Sequence, residues 1–367
     1  MKILTIFTGG TIGTIQGDNY SLDVYEKTPD MLMERYARST ENDVEFIART
    51  PFFNLSESRT PFELAELVSC IEKNLGEGYA GVLVLHGTDT MAYAASVLAL
   101  ALSHLTVPIV LTGANYPIDD RRSNGFRNFT SAVHFIKDPY APKSGTFVVY
   151  ENNHDRRTLV HLGARLLEAE AFNDEFSSLG GIYYGEMIGT KFRRLEDRIN
   201  PSNAELKTPR PQRLKNVPLN FADNVLAVTP YPGLRYDLFY DLVDAKKIKA
   251  VVHGMHHSGT ACVRPEPNSP YCLAQFILRC AKNGIPVYSC PSREKLMVEK
   301  YITAHELLEA GIRPLENIAM PAALTKIMLA YGNIKHQNEI DYFLHEEINF
   351  EFVDFRRVGY GKHRRSR

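Results

Sequence analysis

The sequence predicts an α/β protein with a larger N-terminal domain, an open and mainly parallel sheet wrapped by helices, and a smaller C-terminal α/β domain. Three observations carry this expectation. Short runs rich in β-branched and aromatic residues alternate with longer segments of helical period, the pattern of strands joined by crossover helices. Each early run ends in a loop bearing Gly or Asn. A proline-rich stretch without period then interrupts the alternation, which resumes beyond it.

The first run, Ile3–Phe7, reads as a strand and leads into Thr8-Gly9-Gly10-Thr11. A helix start follows at Thr60-Pro61-Phe62-Glu63: Thr caps, Pro takes the first helical position and Glu closes a capping box, so the helix runs to about Leu75. Val82–Leu85 is the next strand, and Met91 to Leu105 is a mostly buried helix too short to span a membrane. Ile109–Leu111 and Thr146–Tyr150 complete the strands of the first half. Residues 199–220, INPSNAELKTPRPQRLKNVPLN, hold four prolines and place the boundaries: domain one at 1–200, a linker at 201–220, domain two at 221–345. Domain two has strands at Val225–Val228, Ala250–His253 and Pro286–Ser289, and helices near Leu234–Ala245, Leu273–Asn283 and Ala319–Tyr331. The remaining 346–367 alternates like an edge strand in INFEFVDF and ends in a basic tail of six Lys or Arg and no acid.

Composition narrows the function classes. With 42 basic against 43 acidic residues and 44% apolar residues, the chain packs as a globular protein and has no global charge to draw a nucleic acid or a membrane surface. A strand beginning at Ile3 leaves no room for a signal peptide, so a cytoplasmic location is expected. Five cysteines form no CxxC pair and read as buried thiols, not as a disulfide framework or zinc site. His256-His257 lacks a third ligand, and neither GxxxxGK(S/T) nor a strand-following GxGxxG occurs, so no metal and no cofactor is expected.

Chemistry concentrates in the loops after the strands, because ligands of open parallel sheets bind at the carboxyl ends of the strands. Those loops are Thr8-Gly9-Gly10-Thr11, His86-Gly87-Thr88-Asp89-Thr90 and Thr112-Gly113-Ala114-Asn115. If the first two strands are neighbours, Thr11, Thr88 and the Asp89 carboxylate face one pocket, a nucleophile beside its activators. Thr and Asp at such positions also serve as ordinary caps and turn residues.

TGGTIG (8–13), VLHGTDTMAYAAS (84–96), LTGANYP (111–117), RSNGFRN (122–128), YPG (231–233) and EAGIRPLENIAMPAALTK (309–326) together resemble the bacterial-type L-asparaginases of the cytoplasmic (type I) group. The resemblance implies hydrolysis of the asparagine side-chain amide to aspartate and ammonia through an acyl-threonine, without a cofactor. It implies Thr11 as nucleophile, Thr88 and Asp89 as activators with a lysine, and Tyr20 on a closing lid. It places the substrate against Gly10, Ser56, Glu57, Gly87 and Ala114. It also implies a homodimer or homotetramer of a small-molecule enzyme, in which the partner's smaller domain completes each site.

The chain departs from the pattern at the lysine. No lysine stands between Ser144 and Gly189; Arg165 is the nearest cation to the expected place and Arg157 the next. Arginine holds a carboxylate bidentately but does not shuttle a proton at neutral pH. Glu57 replaces the usual Gln or Ser, and Thr260 a common Asn. Two alternatives stand beside asparagine hydrolysis: a related amidase acting on glutamine or a modified aspartyl amide, and a catalytically weak small-molecule sensor. The tRNA-dependent amidotransferase component of this fold is disfavoured, since it carries a domain ahead of its TGGT-like loop and here that loop starts at residue 8.

Overall fold

The computed structural model of the chain describes residues 1–16, 22–24, 27–39, 43–195, 198–215, 218–264, 266, 269–292 and 301–355. Two compact units emerge: Met1–Leu219 with Ile348–Glu351 and Phe355–Arg367, and Asn220–Glu347 with Phe352–Asp354.

Among the described residues the first unit has ten strands: β1 (Lys2–Phe7), β2 (Thr14–Gln16), β3 (Leu22–Val24), β4 (Glu45–Arg49), β5 (Tyr79–Leu85), β6 (Pro108–Thr112), β7 (Gly145–Glu151), β8 (Thr158–Leu162), β9 (Gly185–Ile188) and β10 (Lys191–Arg194). Eight of them form one sheet in the order β10-β9-β8-β7-β6-β5-β1-β4, and β2 pairs with β3 in a separate hairpin. From β4 to β7 the pairing is parallel; β8 to β10 continue antiparallel. Ile3, Leu4 and Ile6 are all fully buried, as expected of a parallel strand covered on both faces. β1 lies between β4 and β5, so the chain leaves it to one side and returns on the other. That reversal is where the loops of an open sheet part to make a crevice.

Among the described residues, four α-helices accompany these strands: α1 (Thr28–Ser39), α2 (Pro61–Asn74), α3 (Met91–Ala101) and α4 (Gly125–Lys137). The start of α2 follows its sequence signal. The Glu63 carboxylate accepts both the Thr60 N–H (2.8 Å) and the Thr60 hydroxyl (3.0 Å). α3 is apolar on every side and buried along nearly its whole length. Phe129, Val133, Phe135 and Ile136 of α4 join Ile3, Leu83, Leu85 and Val110 in one core. Each such side chain contributes about 1.5–3 kcal/mol by leaving water.

The second unit has a four-stranded parallel sheet, β11 (Val225–Val228), β12 (Ala250–His253), β13 (Val287–Ser292) and β14 (Arg313–Glu316), in that order. Its helices are α5 (Tyr240–Asp244), α6 (Leu273–Lys282), α7 (Ile302–Glu309), α8 (Met320–Asn333) and α9 (Gln337–His345).

Four local expectations differ from the structure, the first being that Cys262, read as a buried thiol, is exposed and Cys70 is only partly buried. Leu234–Ala245 is not one helix but a 3₁₀ turn, Tyr236–Phe239, followed by α5. Tyr236 is held away from a regular helix, its N–H on Pro270 O (2.7 Å) and its hydroxyl against His253 Nε2 (2.9 Å). INFEFVDF forms no strand. The buried Glu351 carboxylate accepts the N–H groups of Ile348 and Asn349, and Phe350 takes φ +60°, which bends the chain into a turn whose alternation only imitates a strand. His256 and His257 lie in the loop after β12, not in a strand.

Candidate active site

Three neighbouring parallel strands, β4, β1 and β5, release their loops side by side. Register puts Phe7 opposite Leu85, and the pairing continues past the strand ends: the Thr8 N–H (3.1 Å) and hydroxyl (2.9 Å) both donate to Leu85 O. On the other side, Gly10 N–H donates to Asn54 O at 3.0 Å and Gly9 bridges Asn54. The loop bearing Thr11 is thereby stitched to both neighbours.

Glycine makes this approach possible. Gly10 has φ +75°, and a Cβ there would sit 2.2 Å from Gly87 Cα; one at Gly87 would sit 2.3 Å from Ser56 Oγ. Backbone from all three loops therefore meets where side chains would keep it apart. Thr11 opens a 3₁₀ turn, Thr11–Gly13, and is half-buried. Thr88 is 7% exposed, whereas the next residue, Asp89, is exposed and accepts the Ser56 hydroxyl at 3.1 Å. Thr90 Oγ1 donates to Ser56 O at 3.0 Å, so Ser56, itself buried, is fixed from two sides.

A buried cation lies beneath these loops. The Arg59 guanidinium donates to Asn54 Oδ1 and to the carbonyl of Thr8, lies 3.7 Å from Glu63 Oε1 and stacks 4.2 Å from the Phe52 ring centroid. Burial pushes it down to about 10, opposed by the charges of Glu63 and Glu57. His86 is wholly buried with Nδ1 2.8 Å from Gly87 O. Burial, with a smaller push from Arg59, lowers it to about 4 and keeps it neutral. Asp174 has its carboxyl raised, first by burial and then by the Asp89 charge.

The structure thus brings together Gly10, Ser56, Gly87, Thr88 and Asp89, with Thr11 directly after Gly10. Gly113, next to Ala114, is close enough to Thr88 for its Cβ to meet Thr88 Cγ2 at 3.6 Å; Ala114 itself is buried. Glu57 is exposed on the turn that carries Ser56. Arg165 ends a 3₁₀ turn, Gly163–Arg165, is 2% exposed, and donates from Nε to Phe350 O at 2.5 Å. Arg157 pairs with Glu186 at 2.7 Å. Tyr20 lies outside the described residues. Sequence reading missed Arg59, Asn54 and His86. The one available signal was an arginine directly ahead of the Thr60-Pro61 helix start, a place where a cation opposes the helix dipole.

A cleft of about 510 Å³ lies elsewhere, within the second unit, lined by Tyr231, Tyr236, Tyr271, His256 and Arg264 among others; Thr11, Ser56, Thr88 and Asp89 are not part of it. Among the described residues no cluster of three His, Cys, Asp or Glu could hold a metal, and no helix is long and apolar enough to cross a membrane.

Comparison with known proteins fits this geometry. Residues 2–197 match the family model described as asparaginase, N-terminal. A component of the glutamyl-tRNA(Gln) amidotransferase of Saccharolobus solfataricus is 26% identical over 324 residues, covering 84% of this chain and 68% of that protein. The thermostable L-asparaginase from Thermococcus kodakarensis superposes with a TM-score of 0.75 at 22% identity, over 96% of this chain and 99% of that one. L-asparaginase I from Vibrio cholerae gives 0.72 at 22% identity, over 96% and 98%. At these identities the two solved structures establish the shared fold.

Proposed function

This chain belongs to the asparaginase family and is an amidohydrolase of that type, and from that premise we propose that it cleaves the side-chain amide of L-asparagine to L-aspartate and ammonia. The Thr11 hydroxyl attacks the amide carbon; the C–N bond breaks, the nitrogen leaves protonated as ammonia, and an acyl ester remains on Thr11. Water, aligned by Thr88 and Asp89, then hydrolyses the ester and restores the hydroxyl. Ser56 and the backbone around Gly10, Gly87 and Ala114 hold the substrate. Glu57 favours its amino group, Arg165 supplies the cation where the family has lysine, and Tyr20 closes over the site. The enzyme works in the cytoplasm as a homodimer or homotetramer without a cofactor.

One observation carries this reading: the glycine-mediated contact of the loops bearing Thr11, Ser56 and Thr88-Asp89, closed by the Ser56–Asp89 hydrogen bond. A reactive hydroxyl and a carboxylate on rigid strand ends is the arrangement acyl transfer requires. The similarity to an amidotransferase component supports a second reading, an amidase that takes glutamine and works beside a partner protein. Ammonia release from asparagine, glutamine and N-substituted aspartyl amides separates the two. Thr11→Ala abolishes release on whichever amide is best while the protein stays folded, and Thr11→Ser retains part of it. Parental turnover by Thr11→Ala removes the nucleophile assignment.

A further inference from the structure

We propose that Arg59 is a positioning residue that sets the register of the Thr11 loop against the Ser56 loop. The proposal rests on the threonine chemistry above and gives Arg59 a role exerted through Thr8 and Asn54.

The guanidinium gathers groups from three elements. Its two amino groups reach the Thr8 carbonyl at the end of β1, the Asn54 side chain, and the Asn54 carbonyl at 3.4 Å. Glu63, in the first turn of α2, stands 3.7 Å away and also accepts the Asn54 amide at 2.8 Å. The planar fork holds its N–H donors in a fixed geometry toward the two acceptors, which the freely rotating ammonium of a lysine does not.

Stability alone does not account for this cation. The side chain is 2% exposed, and its Nε has no hydrogen-bond partner among the described residues. Cations buried this way are commonly matched or bettered in stability by apolar residues of similar volume. What the cation contributes is direction. The Thr8 carbonyl faces the guanidinium, and the peptides that follow pass through Gly9 (φ +90°) and Gly10 (φ +75°) before Thr11. Both are freely turning positions that on their own leave the path of the loop undetermined. Asn54 accepts from Gly10 N–H and lies two residues before Ser56. Fixing Thr8 and Asn54 on one rigid ion therefore fixes nucleophile and substrate-gripping hydroxyl relative to each other. Acyl transfer loses rate steeply when that geometry drifts by an ångström.

The experiment compares the full chain with Arg59→Met, Arg59→Lys, Asn54→Ala, Arg59→Met/Asn54→Ala and Thr11→Ala, by steady-state ammonia release on the best amide of the panel and by thermal melting. The expected result is a cooperative melt for Arg59→Met, at least a tenfold fall in kcat, and a change in KM of less than about threefold. Lysine restores part of kcat. Asn54→Ala lowers kcat in the same sense, and the double variant is no worse than Arg59→Met, because both act through one clamp. Parental kcat in Arg59→Met overturns the proposal, as do fully additive losses. Should Arg59→Met fail to fold, Asn54→Ala decides: parental kcat there overturns the role. An inactive Thr11→Ala beside a parent-like Arg59→Met refutes positioning alone, whereas an active Thr11→Ala removes the threonine chemistry and the clamp together.

Discussion

Replacing Gly87 by alanine tests the loop contact on which the site depends. The added methyl would lie 2.3 Å from Ser56 Oγ, 2.5 Å from Ser56 Cβ and 3.1 Å from Gly10 Cα. Non-bonded carbons rest at about 3.5–4.0 Å, so Ser56 must retreat by about 1 Å. Rotating its hydroxyl does not suffice, because the Cβ itself is in the way. The backbone of the Ser56 turn has to shift, and with it the 3.1 Å bond to Asp89. Overpacking of this kind costs about 1–3 kcal/mol, which for a unit of this size lowers Tm by about 2–12 °C. A displacement of about 1 Å between catalytic groups is worth roughly a hundredfold in rate. Ammonia release and thermal melting on the same preparation measure both. Adding Ser56→Gly removes the two nearest atoms and restores most of the lost Tm. Gly78→Ala, at φ +81° with open space around it, controls for backbone strain and leaves kcat/KM unchanged. Parental kcat/KM together with parental Tm in Gly87→Ala would refute the contact.

Two further outcomes are expected. Arg165→Ala lowers turnover by at least about a hundredfold if Arg165 supplies the cation proposed for the lysine's place, which is about 2.7 kcal/mol of transition-state stabilisation at about 1.36 kcal/mol per tenfold. Arg165→Lys retains more, and Arg157→Ala, whose parent residue pairs with Glu186, serves as the alignment control; kinetics unchanged in both alanine variants would exclude an arginine in the lysine's role. Acidification should destabilise the first unit, because the folded-state values of His86 (about 4) and His161 (about 3) lie below the ordinary 6.5 and the unfolded chain takes up protons first. Stability is full above about pH 6.5 and falls toward about pH 4, by up to about 1.4 kcal/mol per pH unit for each histidine. Denaturant titrations at pH 7.5, 6.0 and 5.0 should show a shallower decline in His86→Asn; an identical slope would place the loss elsewhere.

Much of the sheet was legible because parallel strands buried on both faces announce themselves as apolar runs. Val225–Val228 and Ala250–His253 are strands over those very residues, and the capping signal located the start of α2. The antiparallel extension β8–β10 was not legible. Its residues are short and mixed, as in Lys191–Arg194, and depend on partners distant in sequence. INFEFVDF misled for a related reason: alternation reports which residues are buried, not whether backbone N–H groups meet another strand or a carboxylate such as Glu351. At the site, Thr11, Thr88 and Asp89 stood out as hydroxyls and a carboxylate on glycine loops. Arg59 did not, since its part depends on a Thr8 carbonyl 51 residues away.

The return of residues 348–351 to the first unit governs how this protein can be dissected. A fragment ending at Leu219 holds every strand of the eight-stranded sheet, yet it lacks the Phe350 carbonyl that accepts from Arg165 and the Asn349 amide that donates to Ala99 O at 2.7 Å. Such a fragment would expose a buried guanidinium and a helix carbonyl where a few terminal residues had covered them. Those same residues, supplied as a separate peptide, are the natural piece for complementation. A first-unit fragment meant to fold by itself therefore carries Ile348–Glu351 together with Met1–Leu219.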